Sequence, residues 1–352
     1  MDKRTVKLAK IIVNYSTKIK KGDNVLILST SPLGRPLAVE IAKLCIDKGA
    51  HVTVNYRTPE ISEYFLKHAN EEQLKHLSEW SKKQAEETDV RIMIDAPENL
   101  AQTKNCPDRN KQLSAMSMAP ILPIISKKRW LIVNHPTTAL AQEAGMSLSE
   151  YEDFVYDACL RNWPRLAKIQ SDMIKVFENA KTVSVRGPGI DMHFRLDNRT
   201  WLQSDGTNNM PGGEVFTSPS DANGKIYIDL PTYYNGKEFR GIELQFKNGK
   251  VVSHNSSTNL QSLTSILNTD PGAKNIAELA FGTNFGVKQV TGNTLFDEKI
   301  GGTMHIAIGR GFSEAGGDDS CSVVHWDMVR TLKGCTVKVG RVVVVKKGKW
   351  VI

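Results

Sequence analysis

The sequence predicts an α/β protein with two domains: an N-terminal α/β domain with a mainly parallel sheet and a C-terminal α+β domain rich in antiparallel strands. Three observations support this fold class. The chain has 352 residues, which is long enough for two hydrophobic cores. Up to about residue 135, apolar runs of strand length alternate with helical patterns, as in a parallel sheet covered by helices. After residue 180, short strands follow one another directly, which indicates antiparallel sheet.

The first domain is predicted to begin with a helix, because apolar residues recur at helical spacing within residues 5–20. A strand, "NVLIL", follows, and the next helix starts near Pro36 and ends before Gly49. The elements that come next are a strand at 51–56, a helical stretch at 71–87, a strand at 90–95, a helix near 109–125 and a strand at 130–134.

A capping box marks the helix predicted at residues 145–161, since Ser147 and Glu150 have the spacing in which each side chain caps the other's backbone. "NWP" interrupts the helical pattern, and one more helix runs to about residue 178. The domains are therefore predicted to span residues 1–178 and 179–352.

The second domain is predicted to be mainly antiparallel sheet, with one helix at residues 258–268. Its strands are "TVSVR", "IDMHFRL", "EVFTSP", "KIYIDL", "IELQF", "KVVSH", "MHIAIG", "TVKVG" and "RVVVV".

Composition excludes several classes of protein. The sequence has no apolar run of about 18 residues and no secretory signal pattern, so neither a membrane partner nor export is expected. Its five cysteines form no CxxC pair, which favours a reducing cytoplasm. The net charge of +8 comes from scattered lysines and arginines without a nucleic-acid-binding motif, so no nucleic-acid partner is expected.

"HWD" near the C-terminus is the first candidate for chemistry. In a strand, residues i and i+2 face the same side, so His325 and Asp327 present a nitrogen and an oxygen together. This pair suits a metal ion, but it also suits a simple hydrogen bond at a sheet edge. His305, in the apolar run "MHIAIG", taken alone is typical of a core histidine.

Three glutamates change this interpretation. Glu214, Glu278 and Glu298 are each bordered by small or apolar residues, where a carboxylate is costly unless it is paired or bound to metal. Individually each could be a surface or capping residue. Together with the residues named above they supply four carboxylates and two imidazoles, a set that suits two divalent ions a few ångströms apart.

Four segments carry a family resemblance: "NNMPGGEVFTSP", "GAKNIAELAFGTN", "LFDEKIGGTMHIAIG" and "SVVHWDMV". In this order they resemble the M29 family of metallo-aminopeptidases, the thermophilic aminopeptidase T group. The likeness also covers "VNYSTKIKKGDNVLI" and "PTTALAQEAGMSLSEYEDFVYDACL". The resemblance implies a catalytic C-terminal domain with two metal ions and a homodimer whose sites face an internal cavity.

The resemblance further implies an aminopeptidase that releases N-terminal amino acids from peptides through a bridging hydroxide. The two divalent ions would be zinc, cobalt, manganese or magnesium. Glu278 or Glu298 would carry the proton to the leaving amine. The implied metal ligands are Glu214, Glu278, Glu298, His305, His325 and Asp327.

Two departures from the family pattern stand out. Phe312 lies where relatives often have a tyrosine, and we expect backbone N–H groups of the Gly-rich loop "GRGFSEAGGDD" to take over the role of its hydroxyl. The segment "DEKIGGTMH" is two residues longer than the family's "DENxxxH" form, which makes Glu298 the least secure of the six residues.

Two other interpretations of the residues stay open. His305, His325 and Asp327 alone could form the two-histidine, one-carboxylate set of a mononuclear non-haem Fe(II) ring-cleaving dioxygenase. That interpretation leaves the glutamates without a partner. A non-enzymatic protein with a structural metal is the third interpretation, against which the flexible Gly-rich loop argues because structural sites are usually closed.

Overall fold

The structure is a computed structural model that describes residues 2–352. Its helices are α1 (Lys3–Ile11), α2 (Arg35–Asp47), α3 (Pro59–His68), α4 (Glu71–Lys75), α5 (Glu79–Glu87), α6 (Asp108–Ser117), α7 (Leu122–Ser126), α8 (Thr138–Glu143), α9 (Leu148–Cys159), α10 (Trp163–Phe177), α11 (Leu260–Leu267) and α12 (Thr294–Asp297).

Its strands are β1 (Asn24–Ser29), β2 (His51–Tyr56), β3 (Val90–Asp95), β4 (Arg129–Asn134), β5 (Thr182–Gly187), β6 (Ile190–Arg195), β7 (Leu202–Ser204), β8 (Asn209–Met210), β9 (Glu214–Thr217), β10 (Asp221–Ile228), β11 (Thr232–Tyr234), β12 (Lys237–Phe239), β13 (Ile242–Lys247), β14 (Lys250–Asn255), β15 (Ile276–Gly282), β16 (Thr303–Gly309), β17 (His325–Thr331), β18 (Thr336–Val339), β19 (Val342–Lys346) and β20 (Lys349–Trp350).

The chain divides into two compact units, Met1–Leu160 with Gly206–Met210, and Arg161–Asp205 with Pro211–Ile352. The helix α10 thus belongs to the second unit, whereas the sequence analysis placed it before a boundary at residue 178. The reason is the apolar face of this helix, since Met173 and Phe177 are buried in the core of the second unit.

The first unit contains a five-stranded parallel sheet in the order β2-β1-β3-β4-β8. This confirms the predicted parallel α/β fold. Gly49 adopts a φ of +77° immediately after α2, a conformation that glycine tolerates best, so the helix ends where the sequence predicted. The capping box of Ser147 and Glu150 is present at the start of α9.

Two helices of the first unit were not predicted. The helix α3 starts at Pro59 and contains no buried residue. The helix α8 is only six residues long and starts where the side chain of Thr137 accepts a hydrogen bond from the N–H of Leu140. Short or weakly amphipathic helices give little periodic signal.

The second unit contains three sheets. One has eight strands in the order β14-β13-β10-β6-β5-β18-β19-β20, one has five in the order β17-β16-β15-β9-β7, and β11 pairs with β12. All pairs in these sheets are antiparallel, which confirms the predicted character of this half. No helix within residues 2–352 is long and apolar enough to cross a membrane.

In the five-stranded antiparallel sheet of the second unit, apolar and polar residues alternate along the strands, so the two faces of the sheet differ. Leu279, Phe281, Ile306, Ile308 and Met328 are buried in the hydrophobic core of the second unit. Their neighbours in sequence point to the other side of the sheet, because successive strand residues alternate. That opposite side carries the polar residues described next, and we call it the polar face.

Candidate metal centre

The strand register places five of the six candidate residues on the polar face. Glu278 pairs with Ala307, and Ala307 pairs with Asp327, so these three residues form one row across β15, β16 and β17. In the adjacent row, His305 pairs with Ala280. Residues that pair directly across strands share a face of the sheet.

The two remaining strand residues lie at the edges of these rows. On the polar face, His325 of β17 pairs with Gly309 of β16, and Glu214 of β9 pairs with Gly282 of β15. Each of these five strand residues therefore faces alanine or glycine on at least one neighbouring strand. Small neighbours leave room above the sheet, into which the long carboxylate and imidazole side chains can converge.

Glu298 reaches the site from a turn instead of a strand. It follows the short helix α12 directly, and its N–H donates to the carbonyl of Thr294. The longer spacing to His305 made this residue the least secure in the sequence analysis. The structure nevertheless brings its carboxylate into the same cluster.

The six candidate residues form two groups of three whose donor atoms lie within 4.8 Å of one another. The first group comprises Glu214, Glu298 and His305, and the second comprises Glu278, His325 and Asp327. We call them the 214 group and the 278 group.

The imidazoles lie between carboxylates of the cluster. His305 Nε2 is 3.2 Å from Glu278 Oε1 and 3.5 Å from Glu214 Oε2, so it links the two groups. His325 Nε2 is 3.5 Å from Asp327 Oδ1 and 3.7 Å from Glu278 Oε2. Around an ion with bonds of about 2.1 Å, neighbouring donors lie about 3.0–3.4 Å apart. The His305–Glu278 distance of 3.2 Å falls in this range, and the other three, at 3.5–3.7 Å, are slightly longer.

The side chains of the cluster differ in how far they are buried. The His305 side chain is fully buried, and those of Glu214 and Glu278 are 6% and 5% exposed. The exposed fractions rise to 16% for Glu298 in the 214 group and 18% for His325 in the 278 group. A small molecule can therefore approach each group most readily beside its more exposed member.

Lys299 is a further member of the cluster that the sequence analysis missed. Its side chain is fully buried, and Nζ donates to Glu214 Oε1 at 2.7 Å and also to Glu298 Oε1. Burial alone lowers the pKa of Lys299, but the two carboxylates outweigh it and raise the pKa above its usual value. The only sequence signal for this position is a lone lysine between an acidic pair and the apolar and small residues "IGG".

The close packing of acids and bases shifts the ionisation of the cluster. Burial raises the pKa of Glu278 and of Glu298, because a charged carboxylate loses its water. Burial lowers the pKa of His305, but the hydrogen bond to Glu278 and the surrounding carboxylates outweigh this effect and raise the pKa to about 9. For Asp327, burial is outweighed by the charge of His325, and the pKa is lowered. A histidine that is cationic without metal marks a place that attracts positive charge.

The donors fit a divalent ion on a further observation. Glu214 Oε2, Asp327 Oδ1 and His305 Nδ1 are buried and have no hydrogen-bond partner. Buried polar atoms are normally satisfied, so unsatisfied carboxylate oxygens on two residues of one cluster require an explanation. Carboxylate oxygens and imidazole nitrogens are ligands for divalent ions of the zinc and manganese type, and coordination would satisfy them.

The ring of His325 is held in the orientation that a metal ligand needs. Its Nδ1 lies 2.8 Å from the carbonyl oxygen of Arg310, to which an Nδ1–H donates. This contact leaves Nε2 directed at Asp327 and Glu278. A backbone carbonyl behind the imidazole is a common way to fix the tautomer and orientation of a histidine ligand.

Several N–H groups of the Gly-rich loop are not free to take the place of a tyrosine hydroxyl. The N–H of Phe312 donates to Ser218 Oγ, that of Gly311 to the carbonyl of Asp318 and that of Gly317 to the carbonyl of Phe312. These donors are used to build the loop. The Phe312 ring contacts the ring of His325 edge-on, with centroids 5.1 Å apart.

The geometry does not support the dioxygenase interpretation. A mononuclear iron site requires His305, His325 and Asp327 in one donor group, whereas His305 falls in the 214 group and the other two in the 278 group. The carboxylates of Glu214 and Glu278 also lie within the cluster, where an iron site with a two-histidine, one-carboxylate set would not use them.

The fold is of mixed α/β type, and the donor set is a candidate cation site on one face of an antiparallel sheet, as in a metalloprotein. Comparison with known proteins makes this class specific. The chain belongs to the family of thermophilic metalloproteases (M29), which matches residues 1–350. It is therefore an enzyme, a metal-dependent hydrolase of peptide bonds.

Individual relatives agree with this assignment. Aminopeptidase 2 of Geobacillus stearothermophilus is 26% identical over 88% of this chain and 84% of its own length. Aminopeptidase T of Thermus thermophilus is 25% identical over 98% of both chains. The solved structure of wild-type AmpT from Thermus thermophilus matches 99% of both chains with a TM-score of 0.86 at 21% sequence identity, which shows that the fold is shared.

Proposed function

We propose that this protein is a metallo-aminopeptidase that releases N-terminal amino acids from peptides at a centre with two divalent ions. The observation that carries the proposal is the division of six buried or partly buried donors into two groups of three. Relatives named aminopeptidase support the choice of substrate class. The ions would be zinc, cobalt, manganese or magnesium, since mixed nitrogen and oxygen donors accept all of them.

The ions would be held by the 214 group and the 278 group, with Glu278 and His305 at the junction between them. When bound, they would supply a hydroxide nucleophile at neutral pH by lowering the pKa of a bridging water, and they would polarise the scissile carbonyl. All other parts of the reaction fall to side chains of this chain.

Glu278 and Glu298 have different surroundings, and this suggests different roles. Glu278 is 5% exposed and lies between both histidines, so it is positioned to hold the two halves of the centre together. Glu298 is 16% exposed, more than any other donor of the 214 group. The carboxyl group that carries the proton to the leaving amine must exchange protons with solvent after each turnover, so Glu298 is the better placed of the two.

The surroundings of His325 also bear on what can be cleaved. Its imidazole contacts the ring of Phe312, so a peptide that approaches beside His325 passes an aromatic edge. A centre that captures a free α-amine should cleave a dipeptide amide and spare its N-acetylated form. Amine release from both compounds, before and after removal of metal by a chelator, tests the proposal. Equal rates on the two compounds would exclude an aminopeptidase.

Metal content provides an independent test. Six donors in two groups predict about two equivalents of divalent ion per chain at saturation. Mass spectrometry on protein purified without chelator measures them. A single equivalent of iron with oxygen uptake on an aromatic compound would contradict the proposal.

The homodimer and the cytoplasmic location stay predictions. The first follows from the family resemblance, and light scattering of the purified protein measures it. The second followed from cysteine usage, and all five cysteines are free in the structure.

A further inference from the structure

A lysine ammonium contacts the 214 group, whereas no lysine or arginine contacts the 278 group. Lys299 Nζ lies 2.7 Å from Glu214 Oε1 and also contacts Glu298 Oε1. Both oxygens belong to residues of the 214 group. No lysine or arginine side chain within residues 2–352 forms an ion pair with Glu278 or Asp327.

The lysine cannot simply move away from the carboxylates. Its N–H donates to the carbonyl of Phe296, and its own carbonyl accepts from the N–H of Asn284. With the backbone held on both sides and the side chain fully buried, the ammonium group has no path to water. A buried ammonium is tolerated only when carboxylates compensate it, so Lys299 needs the same oxygens that an ion in the 214 group would need.

We propose that Lys299 is an internal cation that competes with the divalent ion of the 214 group, so that the two ions of the centre bind with unequal affinity. This inference rests on the proposed function. The 278 group binds the first ion tightly, because no ammonium contacts its carboxylates and the charge of Lys299 reaches Asp327 only from a greater distance. The second ion enters the 214 group against the repulsion of Lys299 and shares Glu214 and Glu298 with it.

Charge arithmetic agrees with two ions of unequal affinity. Four carboxylates carry four negative charges, which two divalent ions would neutralise. Lys299 adds one positive charge, so that the second ion completes a cluster with an excess of positive charge. A bound hydroxide would restore neutrality, whereas the first ion enters a cluster that is still negative.

The experiment is a calorimetric titration of chelator-stripped protein with Mn²⁺. The wild type should show one tight and one weaker ion, at least tenfold apart. In Lys299→Met, which keeps the length of the side chain and removes its charge, the weaker ion should bind at least tenfold more tightly, equivalent to about 1.4 kcal/mol. The tight ion should change less than threefold.

Two further variants complete the design. Lys299→Gln keeps a hydrogen-bond donor for Glu214 and should show the same gain, so a folded variant is available if methionine disrupts the turn. Lys338→Met makes the same substitution at an exposed position of β18 and should leave both affinities unchanged. Circular dichroism verifies folding in each case.

The outcomes separate this inference from the proposed function. Two ions of equal affinity in the wild type, or a weaker ion that binds no better in folded Lys299→Met and Lys299→Gln, would overturn the role of Lys299 and leave the aminopeptidase proposal intact. Absence of any Mn²⁺ binding in the wild type would overturn both.

Discussion

His325→Ala is the sharpest test of the centre, because it removes one donor without touching the core. The imidazole is one of three donors in the 278 group, with Nε2 3.5 Å from Asp327 and 3.7 Å from Glu278. Its backbone pairs with Gly309 on β16, and this pairing does not depend on the side chain. The sheet should therefore form, while the group retains two carboxylates and no nitrogen.

The expected loss of activity follows from charge stabilisation in the transition state. Removal of one well-placed stabilising group typically lowers the rate by about 10²–10³. We expect kcat/KM on a dipeptide amide to fall at least a hundredfold, equivalent to about 2.7 kcal/mol of transition-state stabilisation. Bound metal should fall from about two equivalents towards one.

His193→Ala is the matched control. His193 also belongs to an aspartate–histidine pair with i, i+2 spacing on a strand, with Nε2 3.3 Å from Asp191 Oδ1, but its side chain is 50% exposed. It lies on β6, outside both donor groups. Activity and metal content should be unchanged in this variant. Normal turnover with full metal content in His325→Ala would refute the centre as described.

Three further predictions concern the room above Ala307, the protonation of His305 and the side chain at position 312. Ala307→Val adds two methyl groups between Glu278 and Asp327, so we expect weaker metal binding and about 1–3 kcal/mol lower stability by denaturant unfolding; unchanged metal binding would show that the ion lies elsewhere. In chelator-treated protein the pKa of His305 is raised to about 9 from a usual 6.5, so protonated His305 stabilises the fold fully below pH 6.5 and this stabilisation is lost as the pH rises through 9. The Tm should therefore fall over this pH range, and it should fall less in Glu278→Gln. Phe312→Tyr should raise kcat about tenfold or more with little change in KM, because the loop N–H groups of Gly311, Phe312 and Gly317 are already engaged; an unchanged kcat would mean that another donor is present.

Local sequence patterns were sufficient to predict those parts of the fold and of the site that depend on residues close together in the chain. The spacing of His325 and Asp327 predicted a common face, and both residues fall in one donor group on β17. The alternation of strands and helices predicted the parallel sheet of the first unit. In each case the signal comes from residues a few positions apart, where strand or helix geometry alone determines which side chains share a face.

The pairing of strands that lie far apart in the chain could not be predicted from the sequence. That Glu214 faces Gly282, and that Ala307 lies between Glu278 and Asp327, depends on the strand order β17-β16-β15-β9, which no local pattern encodes. The burial of Lys299 likewise results from the turn after α12 folding against β9. Lysine usually lies on the surface, so no rule based on composition would have placed it inside.

The strand β8 has a consequence for the order in which the protein can assemble during synthesis. Its two residues add a parallel edge to β4, where the N–H of Ile132 donates to the carbonyl of Asn208, yet they follow residues 161–205 of the second unit in the chain. A ribosome must therefore release more than forty residues of the second unit before the parallel sheet can acquire its last strand. A nascent chain that stops at residue 160 should expose β4 as an open sheet edge, which is a site for aggregation or chaperone capture.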